Sequence, residues 1–111
     1  MNTHTHPEIT GVGFGLAIIG GTVTVVYVVP DTPAYRAGLT PGMIVQKIDD
    51  VITEGMQEKD WHQKLRGLVD TKVRLEVTDT TSKRSRVVEL NREKFILPAA
   101  LPKEAVLDYG N

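Results

Sequence analysis

The residues best placed for chemistry in this sequence are Gly11-Val12-Gly13-Phe14-Gly15. Glycines spaced by two let successive backbone N–H groups turn to one side and form a concave anion-binding nest. A dinucleotide fingerprint would need a strand before the glycines and a helix after them. Here Leu16-Ala17-Ile18-Ile19 follows, an apolar run that reads as a strand, so the phosphate reading fails on context. No Gly-Lys-Ser/Thr follows either, so this is not a Walker loop. What remains is a nest opening onto a strand. An extended peptide could add to that strand's edge and set its terminal carboxylate against the loop amides. The same glycines also suit a plain turn entering a strand.

Other constellations carry less. Ser82 and Ser85 are the only serines, and neither has a nucleophile-elbow context. Ser82 and Lys83 are neighbours, and adjacent strand residues point apart. Asp49-Asp50 fits a turn better than an acid/base pair. His4 and His6 lack a third ligand nearby, so no metal site is expected. There is no cysteine, hence no disulfide, thiolate site or cysteine nucleophile. These residues predict a chain that is not itself an enzyme and uses no cofactor.

The elements that must position the loop follow from turn residues and periodicity. Gly20-Gly21 signals a two-residue hairpin, and Thr22 to Val29, rich in β-branched residues, is the return strand. Asp31 to Gly38 reads as one or two helical turns, with Thr32 as N-cap, Pro33 at the first position and Gly38 as the left-handed stop. Met43 to Ile48 is a strand closed by Asp49-Asp50, with Val51-Ile52 as a short further strand. Gln57 to Leu68 carries the only long helical pattern, through Trp61, Leu65 and Leu68. The size of Trp61 places it in the core. Thr71 to Thr78 alternates, with Val73, Leu75 and Val77 on one face, and Arg84 to Leu90 alternates again. Periodicity fades from Asn91. This order predicts an α+β fold: a small, antiparallel-rich β-sandwich or partly open barrel capped by two helices.

Length and charge bound the rest. The chain has 111 residues and a formal net charge of −1, which suits one domain and argues against wrapping duplex DNA. The charges are uneven. Residues 1–35 hold Glu8 and Asp31 and no Lys or Arg, whereas residues 83–94 carry a net +3. That basic run lacks interleaved aromatics and lies on an expected hairpin, so it reads as a solvated face rather than a nucleic-acid surface. No apolar run approaches ~18 residues, so no membrane insertion is expected. Met1 to His6 has neither the basic region nor the apolar stretch of a signal peptide.

Three tracts in order resemble one family. Val12-Gly13-Phe14 is similar to the carboxylate-binding loop of PDZ domains. Val29-Pro30-Asp31-Thr32-Pro33-Ala34 through Ala37-Gly38-Leu39 and Pro41-Gly42 to Ile48-Asp49 resembles the bacterial PDZ signature. Leu65-Arg66-Gly67 with Thr71-Lys72-Val73 resembles the family's helix-to-strand step. Arg92-Glu93-Lys94-Phe95-Ile96-Leu97-Pro98 is similar to the exit of the PDZ domains of carboxyl-terminal processing (tail-specific) serine peptidases. Related domains occur in high-temperature-requirement proteases and site-two metalloproteases.

The resemblance implies a permuted bacterial strand order and a domain at residues 9–97, between an arm at 1–8 and a tail or linker at 98–111. It implies that the amides of Val12, Gly13 and Phe14 cap a ligand carboxylate. Gly15, Leu16, Ala17 and Ile18 would pair with the peptide, with Val12, Phe14 and Leu16 lining the pocket for its last side chain. Glu58, His62 and Leu65, one face of the longer helix, would form the other wall. Glu58 would favour a basic or hydroxyl-bearing ligand residue. The implied partners are peptide or protein C-termini and a protease domain of the same parent chain, on the bacterial periplasmic or extracytoplasmic side. The alternative is a scaffolding domain that binds an internal segment. The sequence departs from the family in lacking a Lys or Arg before the loop, in Met43 after Pro41-Gly42, and in Asp50 and Asp70 where glycines are usual.

Overall fold

The computed structural model describes residues 8–96. Their elements are β1 (Glu8–Gly11), β2 (Phe14–Ile19), β3 (Thr22–Val28), α1 (Pro33–Arg36), β4 (Ile44–Ile48), β5 (Val51–Ile52), α2 (Glu58–Leu65), β6 (Lys72–Asp79), β7 (Arg84–Asn91) and β8 (Glu93–Ile96). Residues 1–7 and 97–111 lie outside the described residues, and with them the expected tail at 98–111 and all of the expected arm at 1–8 except Glu8, which begins β1. No helix among those described is long and apolar enough to cross a membrane.

The main sheet runs β2-β3-β4-β6-β7, with β5 attached to β4, and all its pairings are antiparallel. A second ribbon pairs β1 with β8, Gly11 opposite Glu93 and Glu8 opposite Ile96. The expected α+β architecture with two helices is the one observed. The expected fading after Asn91 conceals β8, which pairs with a strand 80 or so positions earlier in the chain, at the order of separation that local periodicity does not register.

Local chemistry explains the turns. Gly20 (φ 59°) and Gly21 (φ 79°) close β2 onto β3 with Ile19 opposite Thr22. Asp49 (φ 49°) and Asp50 (φ 68°) make the corresponding turn between β4 and β5. A side chain in this left-handed region is strained. Arg74 compensates: its N–H donates to Asp49 Oδ1 at 2.9 Å, and its guanidinium pairs with the Asp50 carboxylate. In α1, Thr32 is the N-cap, Pro33 sits at the start, and Gly38 stops the turn at φ 83°.

The core is the apolar face of the sheet closed by α2. Val73, Leu75 and Val77 of β6 are buried, as their alternation predicts, together with Val25, Val45, Ile48 and Leu90. Trp61 anchors α2 with 1% exposure, a burial worth about 2–3 kcal/mol on the usual scale for a large apolar side chain. The helix is shorter than its pattern suggests. It ends at Leu65 rather than Leu68, and Leu68 is 79% exposed. A further turn would give the carbonyls of Lys64 and Leu65 to the amides of Leu68 and Val69. Arg92 takes both instead, Nη2 to Lys64 O at 2.8 Å and Nε to Leu65 O at 2.9 Å.

Candidate functional site

The loop between β1 and β2 is held from behind through its carbonyls. Ala34 N–H donates to Val12 O at 2.8 Å, and Val29 N–H donates to Gly13 O at 2.8 Å. In a trans peptide the C=O and the next N–H point in opposite directions. The N–H groups of Gly13 and Phe14 are therefore turned away from α1 and β3, toward the outer side of β2. The conformation needs glycine. Gly13 has φ 96°, and a Cβ there would lie 2.0 Å from Thr32 Oγ1. Thr32 is 1% exposed and fixed by donating to Val29 O at 2.7 Å. Thr32 thus caps α1 and seats the loop. Its capping role is legible in sequence, and its contact across the loop is not.

From the loop the chain enters β2, which has β3 on one side and ends the strand order on the other. Ile19 and Thr22 flank the hairpin turn, so Ile19, Ala17 and Gly15 direct their backbone groups to β3. Phe14, Leu16 and Ile18 alternate with them and direct theirs outward. No residue of β2 is charged. Among the described residues no strand pairs with this outer side of β2.

The side chains expected at the site are distributed as follows. Val12, Phe14 and Leu16 are buried at 3%, 4% and 3% in one cluster, and Leu65 of α2 is partly buried against that cluster. They form an apolar floor rather than exposed lining. Gly15 is also buried, because the Tyr27 ring occupies the place its side chain would take. Ala17 is half-buried, and Ile18 is exposed. On α2, Glu58 is exposed and His62 half-buried, with the His62 ring edge-on to Trp61 at 6.1 Å between centroids. Glu58, His62 and Leu65 share one helical face by their spacing of four and three. The opposite face, with Asp60, Gln63 and Lys64, borders a separate recess of about 430 Å³ toward Val51, Ile52 and Met56.

Three arginine contacts were not read from the sequence. Arg92, inside the run expected to be solvated, is 6% exposed and makes four side-chain hydrogen bonds. Arg86 of the same run, itself exposed, reaches across to α1 and donates to Ala37 O at 2.9 Å. A third concerns Arg36, the first cation of the chain. It donates to Asp31 O at 2.8 Å and pairs with Glu93 at 2.6 Å, which engages it away from the loop. Among the described residues no cluster of three or more His, Cys, Asp or Glu could hold a metal ion, and His4 and His6 lie outside them.

Comparison with known proteins gives a consistent picture. The family model described as PDZ domain matches residues 24–79. The chain is 29% identical over 100 residues to carboxyl-terminal-processing peptidase 2, chloroplastic, of Arabidopsis thaliana, which covers 85% of this chain and 19% of that protein. Among solved structures, the photosystem II D1 C-terminal processing protease superposes with a TM-score of 0.74 at 27% identity, over 81% of this chain and 24% of the other. The PDZ domain of the carboxy-terminal protease from Vibrio cholerae, in complex with peptide, superposes with a TM-score of 0.72 over 82% of this chain and 100% of that one, at 23% identity. The chain therefore spans about a fifth of the length of the curated relative it matches.

Proposed function

This chain belongs to the PDZ domain family, and we propose that it captures the C-terminal end of a peptide or protein by adding it as a strand to the edge of β2. The terminal carboxylate sits against the amides of Val12, Gly13 and Phe14. The ligand backbone runs antiparallel to Phe14–Ile18, pairing with the outward groups of Phe14, Leu16 and Ile18. Its last side chain rests on the floor of Val12, Phe14, Leu16 and Leu65. Glu58 and His62 meet residues further from the terminus. The observation that supports this reading is the backbone orientation of the loop: the Val12 and Gly13 carbonyls are bound from behind by Ala34 and Val29, which turns the following N–H groups toward the outer side of β2.

The binding unit is residues 9–97. In a longer parent resembling the carboxyl-terminal processing peptidases, such a unit would recognise substrate tails or gate a catalytic domain. Catalysis would belong to that other domain.

A second reading has one observation in its favour. No Lys or Arg precedes Arg36, and Arg36 is engaged by Glu93. A loop with no Lys or Arg before it in the chain suits an internal segment better than a free carboxylate. An NMR titration with matched peptides bearing free or amidated C-termini separates the two. Shifts at Val12–Ile18 and Glu58–Leu65 that vanish on amidation support carboxylate capture. Equal binding of both forms selects the internal segment. No shift in either region would sink peptide binding at this groove.

A further inference from the structure

Arg92 stands where the chain leaves one sheet for the other. Asn91 is the last residue of β7, opposite Lys72, and Glu93 is the first of β8, opposite Gly11. Between them the Arg92 N–H donates to Thr71 O at 2.8 Å, and its carbonyl accepts from Asp70 N–H at 2.9 Å. Its side chain turns inward beneath the end of α2. Nε donates to Leu65 O and Nη2 to Lys64 O; Nη1 donates to Thr71 Oγ1 at 3.0 Å and Lys72 O at 3.1 Å. The planar fork spans α2 and the start of β6, a geometry that a lysine ammonium does not reproduce. A cation at a helix C-terminus is also favoured by the helix dipole and the unpaired last carbonyls.

The neighbouring sequence makes room for this contact. A Cβ on Gly67 would lie 2.6 Å from Arg92 Nε and 2.7 Å from Cζ. Gly67 has no left-handed φ to require glycine, so the Arg92 side chain is what the missing Cβ accommodates. The same junction touches the other wall. Glu93 pairs with Gly11, one residue before the Val12–Phe14 loop, and with Arg36 at the end of α1.

We propose that Arg92 is a positioning residue for the peptide groove, fixing the last turn of α2, and with it Leu65, relative to the Val12–Phe14 loop. This rests on the groove reading given above. Leu65 packs against the cluster that includes Val12, Phe14 and Leu16. Releasing the Lys64 and Leu65 carbonyls frees that turn to fray, and the apolar floor at the carboxylate end loses its fixed shape. The consequence falls on affinity and on selection of the last ligand residue.

The test compares wild type with Arg92→Lys and Gly67→Ala. The probes are short synthetic peptides with free C-termini ending in Ala, Val, Leu or Phe. Affinity is read by Trp61 fluorescence, and amide exchange by NMR. Arg92→Lys is expected to weaken binding about tenfold, because the forked bonds are lost while the charge remains. It is also expected to flatten the preference among the four ends. Amides at the end of α2 should exchange faster while those of β4 and β6 hold. Gly67→Ala, which leaves Arg92 in place but displaces its side chain, should shift affinity and preference the same way. A purely structural residue would lower the melting temperature and leave the preference intact, which would overturn the proposal. Unchanged exchange at Arg66 and in the last turn of α2 in both variants would also overturn it. If the wild type binds none of the peptides, the groove reading fails, and the exchange data still decide whether Arg92 fixes the helix.

Discussion

The main path of the sheet ends at β2 on one side and β7 on the other, and these two strands are built differently. β2 is six uncharged residues, Phe14 to Ile19, with a glycine loop at its entrance. β7 is longer and carries Arg84, Arg86 and Glu89, with Arg86 reaching over to the Ala37 carbonyl of α1. Charged side chains and a covering element are standard protection against unwanted strand pairing. Among the described residues β7 has both, and β2 has neither a charged side chain nor a covering element. Among the described residues no strand pairs with the outer edge of β2 and no charge guards it, and this contrast favours β2 over β7 for the strand addition proposed above.

The largest effect should come from blocking the entrance to the open edge. Gly13→Val places a β-branched residue at φ 96° and drives its Cβ into Thr32. The conformational strain and the overlap together should cost about 3 kcal/mol of stability, read by urea unfolding, and abolish peptide binding. A loss below about 1 kcal/mol would mean that Thr32 yields easily and the loop is not seated as described.

A smaller effect isolates the main chain of the edge. Ile18 is 52% exposed and its N–H faces away from β3. Ile18→Pro removes that donor and little else. Peptide affinity should fall by about 1 kcal/mol, the net worth of one hydrogen bond, with a melting temperature close to wild type. Equal affinity in the two proteins would show that the ligand does not reach Ile18 as a paired strand.

Much of this contrast was legible in the sequence. The glycines, the alternation of β6 and the caps of α1 are local signals, and each appears where its residues demand it. The candidate site was legible as residue types: Val12, Phe14, Leu16 and Leu65 cluster, and Glu58, His62 and Leu65 share a helix face. Degree of burial was not legible. Leu16 reads as groove lining, yet at 3% exposure it belongs to the core, so its substitution would test the fold before it tested binding. The long-range contacts were also hidden. The β1–β8 pairing, the Thr32 contact with Gly13, the surface bond from Arg86 to Ala37 and the inward turn of Arg92 join residues far apart in the chain. A charged run looks the same in sequence whether its arginines meet water or carbonyls.

The smallest effect on stability, and the sharpest on the contrast itself, comes from stripping β7. Arg84 and Glu89 lie on the protected edge, opposite Asp79 and Arg74. Replacing both with Thr keeps a good strand former and removes two charges. Exposed pairs of this kind contribute about 0–1 kcal/mol, so the melting temperature should barely move. Association should change instead: the double variant is expected to self-associate with rising concentration in sedimentation velocity, while the wild type does not. Peptide affinity at β2 should stay the same. If the stripped β7 remains monomeric, charge is not what guards that edge, and the cover from α1 through Arg86 must suffice. Arg86→Thr added to the pair would then be the variant that opens it, because it removes the side chain that ties β7 to the Ala37 carbonyl.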